Sequence, residues 1–426
     1  MAALALLVLS STCQAEESGK TPLEHLAVDL RIIAYGKIQT PSSSTQNPSN
    51  DFLQVPRYVG VLEARPDIRL DMGRLDVSAR PRARLEYAAS TEGRRKGASE
   101  WDHDFFMNEW LARWMIVEAL SLSYGRENLQ WGPSLLFSPS NPFFKDNDRR
   151  NPYIELPGMD FGRVVWIPSR SWTVSFIANT GKGRAVFKEP LSFEKTYALK
   201  ADYTGSGKYG SLILCHKKGH QSTLGGFGGW TVSDSLLLYG EVAVSRDVDA
   251  LYPVKDRSPF GASMQVGRGE RTLNPDVLIG ISYTLERGGN FTFEYAYYGA
   301  GYDNEEADLY YTLRARGEEA VVSGKFLSGL GLQVLADTVY TGLRLERRNY
   351  ALLQYTHQGF LNLSDLVLRW TKNLDDGSGQ FTMNFSYPFG SHFELFSVGT
   401  VMTGGREKEF RKILDYQWMI GLTFTL

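Results

Sequence analysis

The C-terminal segment carries the clearest pattern of hydrophobic and polar positions in the chain. Residues 416–426 place a bulky apolar side chain at every second position, from Tyr416 to Leu426. A period of two predicts a β-strand with one apolar face. An aromatic-rich strand of this kind at the end of a chain fits the closing strand of a membrane barrel. The alternative is an amphipathic edge strand of a soluble β-sandwich.

The same alternation recurs along the whole chain, and the connections between the segments alternate in length. Short turns, such as the one at Gly73, take turns with long polar stretches such as 40–51 and 132–159. A barrel with both ends on one side of a membrane requires an even strand number, short turns on one rim and long loops on the other. We therefore predict an all-β fold, a transmembrane antiparallel up-and-down β-barrel of about 18 strands, with about 16 as the alternative. Residues 300–344 are ambiguous between a short helix, an extra hairpin and a loop folded into the lumen.

The composition of the chain excludes a helical membrane protein. The chain has 426 residues, of which 42% are hydrophobic, yet no apolar run after residue 10 is long enough to cross a bilayer as a helix. Tyr, Phe and Gly number 22, 23 and 42, which suits strands with interfacial aromatic girdles and tight turns. The net charge of -2 leaves no nucleic-acid footprint, so no nucleic-acid partner is predicted.

The N-terminus has the features of an export signal. Residues 1–10 are largely apolar, and small residues precede the acidic pair at 16–17. We therefore predict a signal peptide at residues 1–15 and a barrel domain at residues 16–426, located in the outer membrane of a Gram-negative cell. A lipoprotein signal on Cys13 is the alternative. Cleavage would leave Cys215 as the single cysteine, so neither a disulfide framework nor a cysteine metal cluster is predicted.

Two consecutive segments carry charges on the face opposite to their apolar residues. Within 63–71 and 76–86 almost every second residue is charged, and three arginines follow one another on one face. Same-face neighbours lie about 7 Å apart along a strand, and burying so many charges in a dry core would cost several kcal/mol per unpaired ion. A water-filled lumen removes that cost. The predicted pore-lining residues are Arg65, Arg69, Arg80, Arg82, Arg84, Glu109 and Arg113.

Two interpretations of this charged face stay open. It forms a transverse field at an eyelet, which orients polar or anionic solutes, or it is a salt-bridge network that keeps the barrel wall hydrated. Loop 132–159 is a second candidate feature, because long loops with their own side-chain anchors are usually functional. It either folds inward as a constriction or remains an ordinary surface loop. Its constriction candidates are Phe143, Lys145, Asp146, Arg149 and Arg150.

A short part of the chain resembles a known family. The pairs Gly125-Arg126 and Trp131-Gly132, followed by Asn-Pro-Phe at 141–143, match a pattern of some Gram-negative outer-membrane porins, alginate-export-type barrels among them. The resemblance implies a passive channel without cofactors, surrounded by outer-membrane lipid and lipopolysaccharide. Such porins typically end in Phe or Trp, whereas this chain ends in Leu426, which bears on its recognition by the barrel-assembly machinery.

Other candidate sites in the chain are weak. His216 and His220 flank a predicted turn, so no metal site is predicted. His357, with a serine at 364 or 386, lacks the fixed spacing of a hydrolase triad, and the glycine-rich segment 224–229 lacks the context of a phosphate loop. The chain is therefore not predicted to be an enzyme. The basic residues 94–96 form either a solvated loop tip or a contact for lipopolysaccharide phosphates.

These patterns together predict an outer-membrane porin for the passive diffusion of small hydrophilic solutes, anions included. One alternative is a dedicated export or conduit barrel whose lumen holds a polysaccharide or a partner protein. A second is an adhesive barrel with a plugged lumen, and a third is a hydrolase on the barrel wall. The transported solute and a homo-oligomeric state are left open by the sequence.

Overall fold

The alternating segments form one closed sheet of eighteen antiparallel strands. The computed structural model describes residues 25–144, 151–185, 192–218, 221–246, 248–267, 273–324 and 326–426. Each barrel strand pairs with its neighbours along the chain, and the last strand pairs with the first, with Gly36 opposite Ile420. Closure leaves no unpaired edge, which a sheet in a bilayer requires because lipid offers no hydrogen-bond partners. The predicted fold class and strand number are confirmed.

The barrel strands follow the predicted alternating segments closely. They are β1 (Leu26–Pro41), β2 (Tyr58–Asp71), β3 (Leu75–Ala89), β4 (Ser99–Val117), β5 (Leu120–Glu127), β6 (Met159–Ser169), β7 (Trp172–Gly181), β8 (Thr196–Gly205), β9 (Lys208–Lys217), β10 (Gln221–Ser233), β11 (Leu236–Arg246), β14 (Leu273–Thr284), β15 (Gly289–Tyr298), β16 (Asn349–Phe360), β17 (Ser364–Asn373), β18 (Gly379–Phe389), β19 (Phe393–Thr403) and β20 (Leu414–Thr425). A separate small hairpin, β12 (Leu251–Lys255) and β13 (Ala262–Val266), interrupts the connection between β11 and β14.

The connections divide between the two rims of the barrel. Tight turns join β2 to β3 and seven later strand pairs on one rim, where Leu426 donates its backbone N–H to the carbonyl of Leu30. The long connections lie on the other rim, which we call the loop rim. The short link between Lys217 and Gln221 is an exception to the predicted strict alternation, because it also lies on the loop rim. The predicted signal peptide, residues 1–15, lies outside the described residues.

The outer face of the barrel is apolar and the inner face is polar. Outward positions leave large apolar side chains exposed, for example Ile279 at 57% and Trp418 at 50%. A continuous apolar surface of this extent is incompatible with water and matches the hydrocarbon core of a bilayer. Inward positions of β11, β15 and β17 carry Glu241, Glu294 and Arg369, each with less than a tenth of its surface exposed. The register thus separates an oily exterior from a charged interior.

The ambiguous region between β15 and β16 is helical. Within its described residues, α1 (Asn304–Ser323) and α2 (Ser328–Val339) pack against each other and against β12 and β13. Asp303 and Glu306 form a reciprocal capping box at the start of α1, and Gly324 ends the helix with φ of 62°. Among the described residues, no helix combines the length and the apolar character needed to cross a bilayer. These helices pack on other loops of the loop rim, where Gln46 donates to the carbonyl of Leu335.

Candidate functional site: the barrel lumen

The loop between β5 and β6 enters the lumen and crosses to the opposite wall. Glu241, on the inward face of β11, accepts hydrogen bonds from the hydroxyls of Ser134, Ser138 and Ser140. The backbone N–H of Ser140 adds a fourth bond to the same carboxylate at 3.1 Å. A loop that leaves the wall at β5 reaches β11 only through the interior of the ring. Of the two interpretations left open for loop 132–159, the described residues 134–140 have the inward course.

A second carboxylate fixes the tip of the same loop. Glu294 on β15 accepts the backbone N–H groups of Leu135 and Leu136 at 2.7 and 2.8 Å, and the hydroxyl of Tyr239 at 2.7 Å. Glu294 is fully shielded from solvent. Charge-assisted bonds of this kind are stronger than neutral ones, so the loop tip is held at two points on the far wall.

Apolar contacts hold the part of the loop at residues 143–144 against the inner wall of the barrel. The rings of Phe143 and Phe161 contact edge-to-face with centroids 4.9 Å apart, and Phe144 packs on the same inner wall. Phe143, a predicted constriction residue, therefore acts as an anchor against β6 and does not project into open water. The other candidates, Lys145, Asp146, Arg149 and Arg150, lie outside the described residues.

The returning part of the loop, residues 151–158, crosses to another sector of the wall. The ring of Tyr153 stacks on Phe396 of β19 with centroids 3.7 Å apart, and its hydroxyl donates to Glu394 at 3.0 Å. Its carbonyl accepts from Arg65 of β2 at 2.8 Å. Arg65 also pairs with Glu63 at 2.7 Å and has 5% of its surface exposed. The loop thus covers one of the predicted pore-lining arginines.

Arg82 is the centre of the contact between this loop and the charged wall. Its guanidinium donates to both carboxylate oxygens of Glu155, at 2.7 and 2.8 Å, and to Asp67 at 2.9 Å. Only 1% of its surface is exposed. Burial raises the pKa of Glu155, but the hydrogen bond from Arg82 and the charge of Arg65 outweigh it, so the net pKa lies below the ordinary value. Glu155 is therefore held as a carboxylate.

A β-bulge adds a further contact to this segment. Between Arg80 and Pro81 the register of β3 against β4 shifts, and Asn108 is the extra residue on β4. Pro81 has no N–H to continue the ladder, which suits a bulge at this point. The displaced Asn108 side chain points into the lumen and donates to Glu155 and to the carbonyl of Leu156, each at 3.3 Å.

The remaining predicted pore-lining residues keep partial exposure on the inner wall. Arg80 pairs with Glu109 at 3.1 Å and with Asp67 at 3.6 Å, and Arg113 lies 3.9 Å from Asp76. Arg84 pairs with Glu86, and Arg69 is exposed. The loop therefore divides the predicted charged face into a covered part and an open part. Arg65 and Arg82 bind residues of the inward loop. The residues that retain access to solvent are Arg69, Arg80, Arg84, Glu109 and Arg113.

The open space in the lumen lies against the sector from β16 to β20. A cavity of about 600 Å³ is lined by Arg31, Gln354, Asp365 and Glu394, among others. A second cavity of about 300 Å³ lies nearer the loop rim and is lined by residues that include Glu409 and Phe410. Leu135 of the inward loop and Arg369 of β17 line both cavities. This loop residue and this arginine therefore lie where the two cavities adjoin.

Several residues of this path were not predicted from the sequence. Arg369 donates two bonds to Gln354 of the neighbouring strand, at 2.8 and 2.6 Å. Arg31, Asp365 and Glu394 lie at inward positions of β1, β17 and β19. The alternating pattern identifies such positions as inward. It contains no signal that the loop covers the wall at β2 to β4 and leaves this sector open.

A second inward segment covers the 300 Å³ cavity on the side of the loop rim. Residues 404–413 connect β19 to β20, and Glu409 in this connection accepts from the hydroxyl of Tyr350 at 2.5 Å and from Asn373 at 2.7 Å. Burial and the nearby charge of Glu346 raise the pKa of Glu409 to about 7. Lys412 pairs with Glu346 beside it. The cap of the cavity is thus a network of ionisable groups.

Comparisons with known proteins identify the fold. No protein-family profile and no curated protein sequence matches the chain. Among solved structures, Acinetobacter baumannii OccAB1 is 13% identical, with 94% of this chain and 96% of that chain covered and a TM-score of 0.55. Pseudomonas aeruginosa OccK7 (OpdD) is 12% identical, with coverages of 94% and 98% and a TM-score of 0.54. This chain shares their barrel fold. The resemblance to outer-membrane porins is therefore confirmed at the level of the fold.

Proposed function

We propose that the protein is an outer-membrane channel for the passive diffusion of small hydrophilic solutes. The proposal rests on the two cavities inside the closed barrel, which share Leu135 and Arg369 as lining residues. Eighteen strands enclose a lumen too wide to be filled by side chains of the wall alone. The inward loop reduces that lumen to a path along β16 to β20.

The restriction by the loop supports a channel for small solutes over a conduit for a polymer. A polysaccharide or a partner protein needs a continuous wide passage, whereas residues 134–140 and 151–156 are bonded to opposite walls of the barrel. The solved structures OccAB1 and OccK7 share this barrel fold. Fold alone does not define a substrate, so the solute class rests on the lumen itself.

We further propose that the path favours anions. Arg31 and Arg369 line the 600 Å³ cavity, and Arg69, Arg80 and Arg113 keep solvent access on the neighbouring sector of the wall, β2 to β4. Asp365 and Glu394 oppose these cations within the cavity. The resulting transverse field would orient a solute that carries a carboxylate or a phosphate during passage.

Planar-bilayer recording of the purified protein tests the channel. We expect stepwise ohmic openings, and a silent protein that is folded and inserted would overturn the proposal. A salt gradient then tests selectivity. The combined variant Arg31→Gln, Arg69→Gln and Arg113→Gln should shift the reversal potential toward cations. Arg170→Gln, in the tight turn between β6 and β7, is the control.

The expected selectivity depends on ionic strength. The Debye length is about 10 Å at 0.1 M salt and about 3 Å at 1 M, so the difference between variant and parent should shrink at high salt. A difference that stays constant with salt would point to altered pore shape rather than charge. Homo-oligomerisation and dependence on the barrel-assembly machinery are predictions that the recording does not address.

A further inference from the structure

The outer wall of the barrel has an apolar furrow with a glycine floor. In one outward row across neighbouring strands, Ile420, Gly36, Gly60, Tyr87 and Trp101 are direct cross-strand partners. The two central positions have no side chain, and a Cβ added at Gly36 would meet nothing within 4 Å. The resulting depression has a volume of about 650 Å³. We call it the glycine furrow.

The positively charged side chain of Arg57 lies between the furrow and the loop rim. Arg57 is bonded to the hydroxyls of Thr40 and Tyr416 and lies 5.7 Å from the Tyr416 ring centroid. These described side-chain partners are neutral groups. Thr40 is four residues beyond Gly36 on β1, and same-face residues are about 7 Å apart, so the cation lies about 14 Å from the furrow floor along the strand.

Two further cations lie at the nearby loop tip. Arg94 and Lys96 are exposed in the connection from β3 to β4 and form no ion pair with any described residue. This connection begins just after Ala89, whose carbonyl accepts the backbone N–H of Arg57. The same rim sector therefore presents three positive side chains above an apolar depression.

We infer that this surface binds one phosphate-bearing lipid of the surrounding leaflet. An acyl chain fills the glycine furrow, and the phosphate pairs with Arg57 at the level of Tyr416 and Trp418. Tyrosine and tryptophan on the outer face of membrane barrels lie at the headgroup level, so the aromatic pair places Arg57 at the depth of a lipid phosphate. The site requires a membrane-embedded barrel and is independent of solute passage.

Charge favours lipid over a second copy of the chain as the occupant. A two-fold interface places the same patch of both subunits opposite itself. Such an interface on the furrow would bring Arg57, Arg94 and Lys96 of one copy toward the same residues of the other. A bisphosphorylated lipid instead neutralises these charges and supplies an apolar chain for the furrow.

Native mass spectrometry of the full-length folded protein in detergent tests the site. The probe is bisphosphorylated lipid A, compared with the same lipid after removal of its phosphates. Arg57→Gln should weaken retention of the phosphorylated lipid at least tenfold and leave the dephosphorylated lipid unchanged. Gly36→Leu fills the furrow and should weaken both lipids.

Matched controls separate a specific site from general lipid association. Arg246→Gln removes an outward, exposed arginine at the loop-rim end of β11. Gly399→Leu fills an outward position on β19 where an added Cβ also meets nothing within 4 Å. Neither control should change lipid retention, and none of the four variants should change single-channel conductance.

Three results would overturn the inference. Equal retention by all variants means that the lipid is bound without this site. Equal weakening by Arg57→Gln and Arg246→Gln means that only net charge matters. Loss of an oligomer in Gly36→Leu, with lipid retention unchanged, means that the furrow is a contact between copies. If Gly36→Leu fails to fold, the Arg57→Gln arm alone decides.

Discussion

At the scale of single residues, the lumen is organised by charges that bind protein rather than solute. Arg82 has 1% of its surface exposed and bonds to both Glu155 and Asp67. A buried charge of this kind is tolerated only while its partners remain, and removing one partner typically destabilises by about 3–5 kcal/mol. The predicted pore-lining arginines are therefore of two kinds, buried and solvent-accessible, and substitutions should separate them.

We expect Arg82→Ala to release residues 151–158 from the wall. Glu155 would lose its two shortest bonds, and Asn108 alone would hold it at 3.3 Å. Single-channel recordings should show a larger and noisier conductance, and limited proteolysis should cut the released segment. Arg170→Ala is the control, because Arg170 is exposed in the tight turn between β6 and β7 and does not line the lumen path. Equal effects of both substitutions would contradict the assignment of Arg82 as an anchor.

The ionisation of Glu409 makes the stability of the packed segment 404–413 depend on pH. The pKa of Glu409 is raised from 4.5 to about 7 in the folded chain. Protonation of Glu409 therefore favours the seated state, in which segment 404–413 is packed over the cavity, over the open state, in which it is released. The seated state is therefore most stable below pH 4.5 and loses this contribution as pH rises through 7. Glu346 and Asp376 add negative charge nearby, and Lys412 opposes them.

The expected outcome is a segment that opens more often at pH 8 than at pH 5. The seating equilibrium should change by at most about tenfold per pH unit between the two pKa values. Hydrogen exchange of the backbone N–H of Glu409, which donates to Asp376, reports the opening. Glu409→Gln should remove the pH dependence, and Glu92→Gln on an exposed loop should not. Faster exchange at low pH would refute this interpretation, after correction for intrinsic rates.

At the scale of elements, the inward loop is held by two carboxylates on separate strands. Glu241 accepts four bonds from the serines at 134, 138 and 140, and Glu294 accepts two backbone N–H groups. Each carboxylate serves several donors, so its loss leaves several buried polar groups unpaired, at about 1–3 kcal/mol each. The position of Leu135 between the two cavities depends on both anchors.

We expect Glu241→Ala with Glu294→Ala to free the loop tip while the barrel stays closed. Conductance should rise, and the size limit for permeating solutes should increase in liposome-swelling assays. Glu286→Ala, at an exposed turn on the opposite rim, is the control. An unchanged size limit would show that Leu135 is not at the narrowest point. A collapse of the barrel in detergent would show that the anchors serve the wall itself.

The sequence predicts the strands well and the loop partners poorly. A two-residue period identifies an inward and an outward face from local information, so Glu241 and Glu294 were recognisable as inward residues. The bond from Ser138 to Glu241 joins residues 103 positions apart, and nothing in either neighbourhood indicates the other. The capping box at Asp303 is a local signal for α1, but the sequence left a short helix, an extra hairpin and a loop in the lumen open for residues 300–344. The short strands β12 and β13 carried no distinct alternation.

At the scale of the whole molecule, closure depends on the pairing of β1 with β20. Gly421 on the inward face of this seam lies where an added Cβ would be 2.5 Å from the carbonyl oxygen of Ala34 and would collide with the ring of Phe396. Backbone atoms cannot move away as a flexible side chain can. The seam therefore tolerates no side chain at this position.

Gly421→Val should consequently prevent closure, although valine is a good strand former. An open sheet leaves the edges of β1 and β20 unpaired, and each unsatisfied group costs several kcal/mol in hydrocarbon. The variant should fail to shift to the faster gel mobility of a folded barrel and should not insert into liposomes. Gly399→Val is the matched control, since an added Cβ there meets nothing within 4 Å. If Gly421→Val folds like the parent, the seam is not the constraint on closure, and the ring must be held mainly by the loops that cross its interior.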